Sequence, residues 1–70
     1  MNGAEALANR AEELLAYAEA EKYGGAYCYV TIRDDDLTAA RVLEQMGLVK
    51  IFHTKGEGWQ IKRTVENDDE

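Results

Sequence analysis

The apolar residues of this chain repeat at helical spacing in two segments and alternate in three others, and this change of period constrains the fold most. Asn2 and Glu5 have the spacing of a capping box, which predicts a helix start. Arg10 is expected on the solvent side of this helix, and Gly24 with Gly25 is expected to end it. The apolar residues that form its predicted buried side recur every three or four positions over about five turns. They are Leu7, Ala11, Leu14, Leu15 and Ala18.

A strand and a second helix follow. The segment from Ala26 to Ile32 alternates and is rich in β-branched and aromatic residues, which predicts the first strand. Three aspartates precede the next helical pattern, and their side chains are expected to cap its free amides and to face the positive end of its dipole; they are Asp34, Asp35 and Asp36. Gly47 and Leu48 have the order of a helix C-cap and its hydrophobic contact, so the helix is predicted to end there.

Two more strands are predicted at Val49 to Thr54 and at Trp59 to Val65, joined by a turn that contains Gly56 and Gly58. If the hairpin folds back so that its last strand lies beside the first strand, the spatial order is 1-3-2 and all neighbours are antiparallel. The predicted fold class is therefore α+β, with two helices and a three-stranded antiparallel sheet. Residues 1–65 are expected to form one small domain, and residues 66–70 an acidic disordered tail.

Strand alternation divides the predicted sheet into two faces. One face carries the aliphatic residues together with Trp59 and an inward Cys28, which we expect to be inert packing. Tyr27, Tyr29 and Phe52 fall on the other face, which is unusually aromatic for a solvent-exposed surface. Aromatic residues are enriched in interface cores, so these three and Trp59 are the predicted protein-contact residues, although a helix covering the aromatic face is an equally weighted alternative.

Composition excludes several classes of function. The chain of 70 residues has one cysteine and one histidine, so neither an intramolecular disulfide nor a zinc site is expected. Its formal net charge of −6 opposes binding to a phosphate backbone. No apolar run is long enough to span a membrane, and the N-terminus lacks the order of a signal peptide, so the expected compartment is the cytoplasm. No metal and no cofactor are predicted, and His53 is expected at the surface.

The segment from Tyr29 to Arg33, followed by Ala39 and the run Glu44-Gln45-Met46-Gly47-Leu48, resembles the C-terminal half of the GNAT acetyltransferase superfamily. The resemblance extends back through the first helix and Gly24, so it covers most of the chain. It implies a long helix, a strand, a second helix and a final hairpin. In that superfamily a glycine-rich turn before the long helix holds the cofactor pyrophosphate with backbone amides.

The residues that would carry the GNAT activity are not matched. Only Met1-Asn2-Gly3-Ala4 stands where the pyrophosphate turn would be, and Ala4 alone fits its last position. Asp36 replaces the asparagine near the cofactor and would repel a phosphate, while Leu43 replaces the tyrosine often used as general acid. The resemblance therefore implies a fold without the activity. The alternative is a CoA-ester binder completed by oligomerisation, for which the expected contacts are Asn2, Gly3, Ala4 and Asp36.

A second resemblance is to the recognition helix and wing of winged-helix proteins, over Leu37 to Thr64. It implies duplex DNA binding through Lys50, Lys55, Lys62 and Arg63, although three aspartates stand where a phosphate would approach. The favoured hypothesis is a small, acidic, noncatalytic module that binds a protein, or a second copy of itself, as an inhibitor or regulator. Small proteins of mobile elements that block host machinery often have this profile.

Overall fold

The first helix spans the predicted five turns. A computed structural model describes residues 3–65, and within it α1 runs over Gly3–Ala20. Ala11, Leu14 and Ala18 are buried, so the predicted buried side is confirmed. The proposed N-cap Asn2 and the tail 66–70 lie outside the described residues.

The two glycines after α1 form a hairpin turn and do not end the helix, which corrects the prediction. Lys22–Tyr23 (β1) and Ala26–Tyr27 (β2) pair antiparallel, with Tyr23 opposite Ala26 across the turn. Gly24 and Gly25 have φ of 61° and 86°, the left-handed values that a two-residue type I′ hairpin turn requires at both positions. Glycine adopts this backbone conformation without steric cost because it has no Cβ.

The predicted first strand is therefore broken into two parts. Its first residues belong to β2, whereas only Val30–Ile32 forms β3 of the larger sheet. Cys28 lies between them, half-buried and outside the core, and its amide donates to the Glu21 carbonyl at 2.9 Å. The prediction of Cys28 as an inward strand residue is wrong, because the chain changes sheets at this point.

The second helix ends as its sequence predicts. A single 3₁₀ turn over Asp34–Asp36 leads into α2 at Leu37–Gln45. Gly47 has φ of 79°, the Leu48 amide donates to the Leu43 carbonyl at 2.9 Å, and the Gly47 amide donates to the Glu44 carbonyl at 2.9 Å. These two bonds make a Schellman motif, and Leu48 supplies its hydrophobic contact by packing on the core.

The sheet has the predicted order. Val49–Thr54 (β4) and Gly58–Arg63 (β5) form an antiparallel hairpin, and β5 also pairs antiparallel with β3. The spatial order is β3-β5-β4, so the predicted α+β class and the 1-3-2 order are confirmed. The last strand ends at Arg63, two residues before the predicted end at Val65.

The core lies between the helices and one face of the sheet. Among residues 3–65, four of the nine buried hydrophobic residues of the core are alanines, whose small side chains allow the packed elements to approach closely. Leu14, Val49 and Ile61 are its largest fully buried side chains. Within residues 3–65, no helix is both long enough and apolar enough to span a membrane.

Candidate functional site

The face of the three-stranded sheet opposite the core is the candidate site. Ile32, Val49 and Ile61 are buried against the helices, so the alternate residues of the same strands lie on the other side. We call this side the open face, because none of its strand residues is buried. It consists of Thr31, Lys50, Phe52, Thr54, Gln60 and Lys62.

An aromatic pair lies at this face. The rings of Tyr29 and Phe52 meet edge to face with centroids 5.1 Å apart, a geometry that aromatic pairs favour. Tyr29 is 53% exposed and precedes β3, whereas Phe52 is half-buried in β4. The sequence assigned both residues to one face, and the structure places their rings in contact.

Two lysines flank the aromatic pair. Lys50 and Lys62 are directly opposite each other on β4 and β5, and the Lys62 ammonium lies 5.3 Å from the centroid of the Tyr29 ring. That distance is typical of a cation–π contact. A depression of about 110 Å³ is lined by Lys50, Phe52 and Lys62 together with residues 63–65. The sequence predicts these lysines only as DNA contacts, because nothing in its pattern connects them with the aromatic residues.

The other two predicted contact residues lie elsewhere. Tyr27 is opposite Lys22 in the small hairpin, with the Lys22 ammonium 4.8 Å from its ring centroid, so it does not share a sheet with Tyr29 and Phe52. Trp59 is on the core side of β5, partly buried against the core, and its ring lies 4.5 Å from the exposed His53 ring. The candidate site therefore contains Tyr29 and Phe52 of the predicted set.

The remaining basic residues proposed as DNA contacts are not grouped with these lysines. Lys55 is exposed in the β4–β5 turn. The Arg63 guanidinium donates to Glu19 Oε2 at 3.1 Å and to the carbonyls of Leu48 and Thr64. Arg63 therefore connects the end of β5 to α1, and its charge is paired with that of Glu19.

A part-buried ion pair joins the two helical segments, and the sequence pattern does not indicate it. Arg10 donates to both carboxylate oxygens of Asp36, from Nε at 2.8 Å and from Nη2 at 3.0 Å, and it also donates to Glu13 at 2.7 Å. Asp36 is 6% exposed and accepts a further bond from the Arg33 amide at 3.3 Å. The Arg10 side chain is 37% exposed, so this predicted solvent-side residue contacts solvent in part and Asp36 in part.

The Arg10–Asp36 contact changes the role expected for the aspartate run. The hydrogen bonds from Arg10 lower the pKa of Asp36, with burial acting in the opposite direction and the Arg33 amide adding to the lowering. The same contacts raise the pKa of Arg10. The Asp36 side chain makes no capping bond to α2 and its charge is paired, whereas Asp34 and Asp35 are exposed.

The residues expected to contact a CoA ester do not form a common site among the described residues. Gly3 and Ala4 are exposed at the start of α1, and Asn2 lies outside the described residues. Leu43, at the position of the tyrosine acid, is 3% exposed in the core. Among residues 3–65, no cluster of three or more histidine, cysteine or acidic side chains is arranged to hold a metal ion.

Comparison of the chain with protein-family models, with curated proteins and with solved structures finds no match.

Proposed function

We propose that this chain is a noncatalytic protein-interaction module whose contact surface is the open face together with Tyr29. The observation that supports this most is the Tyr29–Phe52 ring pair, which lies on the side of the sheet away from both helices and leaves Tyr29 53% exposed. Rigid aromatic side chains supply large contact area at low conformational entropy cost, which makes them frequent interface anchors.

The resemblance to the GNAT superfamily supports a role in binding more than one in catalysis. The long helix, second helix and final hairpin that the GNAT resemblance implies correspond to α1, α2 and the β4–β5 hairpin, although the small hairpin of β1 and β2 is additional. Leu43 is buried in the core and has no proton to transfer, and Asp36 is committed to Arg10. We therefore propose a GNAT-like architecture used as an inhibitor or regulator in the cytoplasm.

The test begins with affinity capture and identification of bound proteins, followed by titration of each purified candidate. The variant Tyr29→Ser with Phe52→Ser should weaken binding of the genuine partner by about tenfold or more, as expected for the loss of two interface anchors. Tyr23→Ser is the matched control, because Tyr23 is 84% exposed on the small hairpin away from the open face. Equal weakening by both variants, or by neither, contradicts the proposed contact surface.

The alternatives are distinguished on the same labelled sample. An acetyl-CoA titration followed by backbone amide resonances should produce no saturable shifts near Gly3, Ala4 and Asp36. Saturable shifts there would favour a CoA-ester binder, and light scattering would show whether it is a homodimer. A salt-dependent shift with duplex DNA that is lost in Lys50→Gln and Lys62→Gln variants would favour the winged-helix alternative.

A further inference from the structure

We infer that the partner presents an acidic segment in extended conformation, which adds as a strand to the free edge of β4 and places its carboxylates over the open face. This inference rests on the proposed function and specifies the chemistry of its partner.

The charge distribution supports an acidic partner. The chain carries a formal net charge of −6, yet the six strand residues of the open face include Lys50 and Lys62 and no carboxylate. Complementary charge across an interface favours encounter and suppresses binding in the wrong orientation. The open face is thus a cationic patch on an acidic protein, and it is complementary to an anionic surface.

The two lysines also oppose each other within the sheet. Lys50 and Lys62 form a directly opposite cross-strand pair, and like charges at such a position are destabilising. A carboxylate bound beside the Lys50 ammonium offsets that repulsion on binding, while the Lys62 ammonium lies 5.3 Å from the Tyr29 ring centroid. The depression beside them is bordered by Phe52, so an acidic side chain and its methylene groups find both charge and apolar contact there.

The hydrogen-bond pattern of the hairpin shows which backbone groups are free. The Thr64 amide donates to the Leu48 carbonyl at 2.8 Å, just beyond the Val49–Arg63 pair. Because bonding alternates along an antiparallel ladder, Lys50 and Phe52 direct their backbone groups toward β5. The alternate residues Val49, Ile51 and His53 direct theirs to the outer edge, where β4 has no strand neighbour among residues 3–65.

These two features fix how a peptide fits. An antiparallel strand added to β4 would bond to the backbones of Val49, Ile51 and His53. The residue opposite Lys50 would then occupy a non-hydrogen-bonded pair, in which the Cα atoms lie only about 4.5 Å apart and the side chains are close. A glutamate at that position reaches the Lys50 ammonium, and the next glutamate on the same face lies beside Phe52.

A second copy of this chain is a poor occupant of the same edge. Pairing two β4 edges would bring two copies of Lys50 onto one continuous sheet face, and edge lysines are a common means by which proteins discourage such pairing. An acidic strand from another protein converts the same lysine into an attractive contact.

The experiment uses the full chain, isotope-labelled, and three short end-capped peptides in which valine alternates with glutamate, glutamine or lysine. The glutamate peptide should bind most tightly, with shifts and slowed hydrogen exchange at the amides of Val49, Ile51 and His53. Lys50→Gln and Lys62→Gln should each weaken its binding by roughly twofold to fivefold, the range expected for a solvated charge pair. Lys22→Gln, in the small hairpin, should leave it unchanged.

The outcomes separate this inference from the proposed function. Equal binding of the glutamate and glutamine peptides overturns the charge argument, and absence of protection at Val49, Ile51 and His53 overturns the edge argument. If the natural partner no longer binds the Tyr29→Ser and Phe52→Ser variant but binds Lys50→Gln with unchanged affinity, only the inference fails. Tighter binding of a single-stranded thymidine oligonucleotide that displaces the glutamate peptide also overturns it, in favour of a nucleic-acid ligand.

Discussion

Asp36→Asn should destabilise the fold measurably, because it removes one charge of the Arg10–Asp36 pair while keeping the shape of the side chain. Breaking a fully buried ion pair costs about 3–5 kcal/mol, and breaking an exposed one costs about 0.2–1 kcal/mol. The Asp36 side chain is 8% exposed, but that of Arg10 is 37% exposed, so solvent screens the pair in part. We therefore expect a loss of about 1–2 kcal/mol.

That loss is large for a chain of this size. A core of this kind supplies about 3–5 kcal/mol of net stability, so the variant should lose a substantial part of it. With a urea m-value of about 1 kcal/mol per molar, the unfolding midpoint should fall by roughly 1–2 M. The assay is urea unfolding followed by far-UV circular dichroism and by the fluorescence of Trp59, the single tryptophan.

Glu13→Gln is the matched control, because Glu13 also bonds Arg10 but its side chain is 62% exposed. It should shift the midpoint less than Asp36→Asn does. Arg10→Met leaves the buried carboxylate without its counterion, and the double variant Arg10→Met with Asp36→Leu should cost less than the two single changes added together. Additive effects, or a midpoint change for Asp36→Asn no larger than that of the control, would refute the claim that this pair joins α1 to α2.

Two further predictions concern pH and the end of α2. Because Arg10 lowers the folded-state pKa of Asp36 below its unfolded value of about 3.9, the pair's stabilisation is fully present above that value. It is lost as pH falls through the folded pKa, so the stability difference between wild type and Asp36→Asn should shrink in acid; a difference that grows would contradict the assignment. Gly47→Ala should lower the free energy of unfolding by about 1 kcal/mol, because Gly47 has φ of 79°, a left-handed conformation that L side chains disfavour. No neighbouring atom lies within 4 Å of an added Cβ, so the cost comes from the backbone and not from a steric clash. Thermal unfolding measures this, with Gly3→Ala in α1 as a control that should not destabilise, and an unchanged midpoint for Gly47→Ala would refute the backbone argument.

The elements that could be predicted are those fixed by neighbouring residues. The buried side of α1 follows from a spacing of three and four positions, and the C-cap of α2 follows from a glycine whose backbone reaches the left-handed region. The bounds of β4 were also predicted, because a helix stop precedes it and a glycine-bearing turn follows it. Tyr29 and Phe52 were recognised at the candidate site because both are aromatic at outward strand positions.

The features that could not be predicted depend on partners distant in the chain. Alternation from Ala26 to Ile32 does not reveal that Tyr27 pairs with Lys22 while Val30 pairs with Ile61, so the change of sheet is invisible in that segment. The Gly24-Gly25 pair was a local signal for a hairpin turn that the helix interpretation passed over.

By itself, the sequence determined the helices, the hairpin of β4 and β5 and the α+β class, because hydrophobic period and turn chemistry act over a few residues. Only the tertiary structure decided that Arg10 meets Asp36, 26 positions away, and that Lys50 lies opposite Lys62 beside an aromatic pair. Strand register and helix docking bring such charges together, and both are set by burial of the whole core.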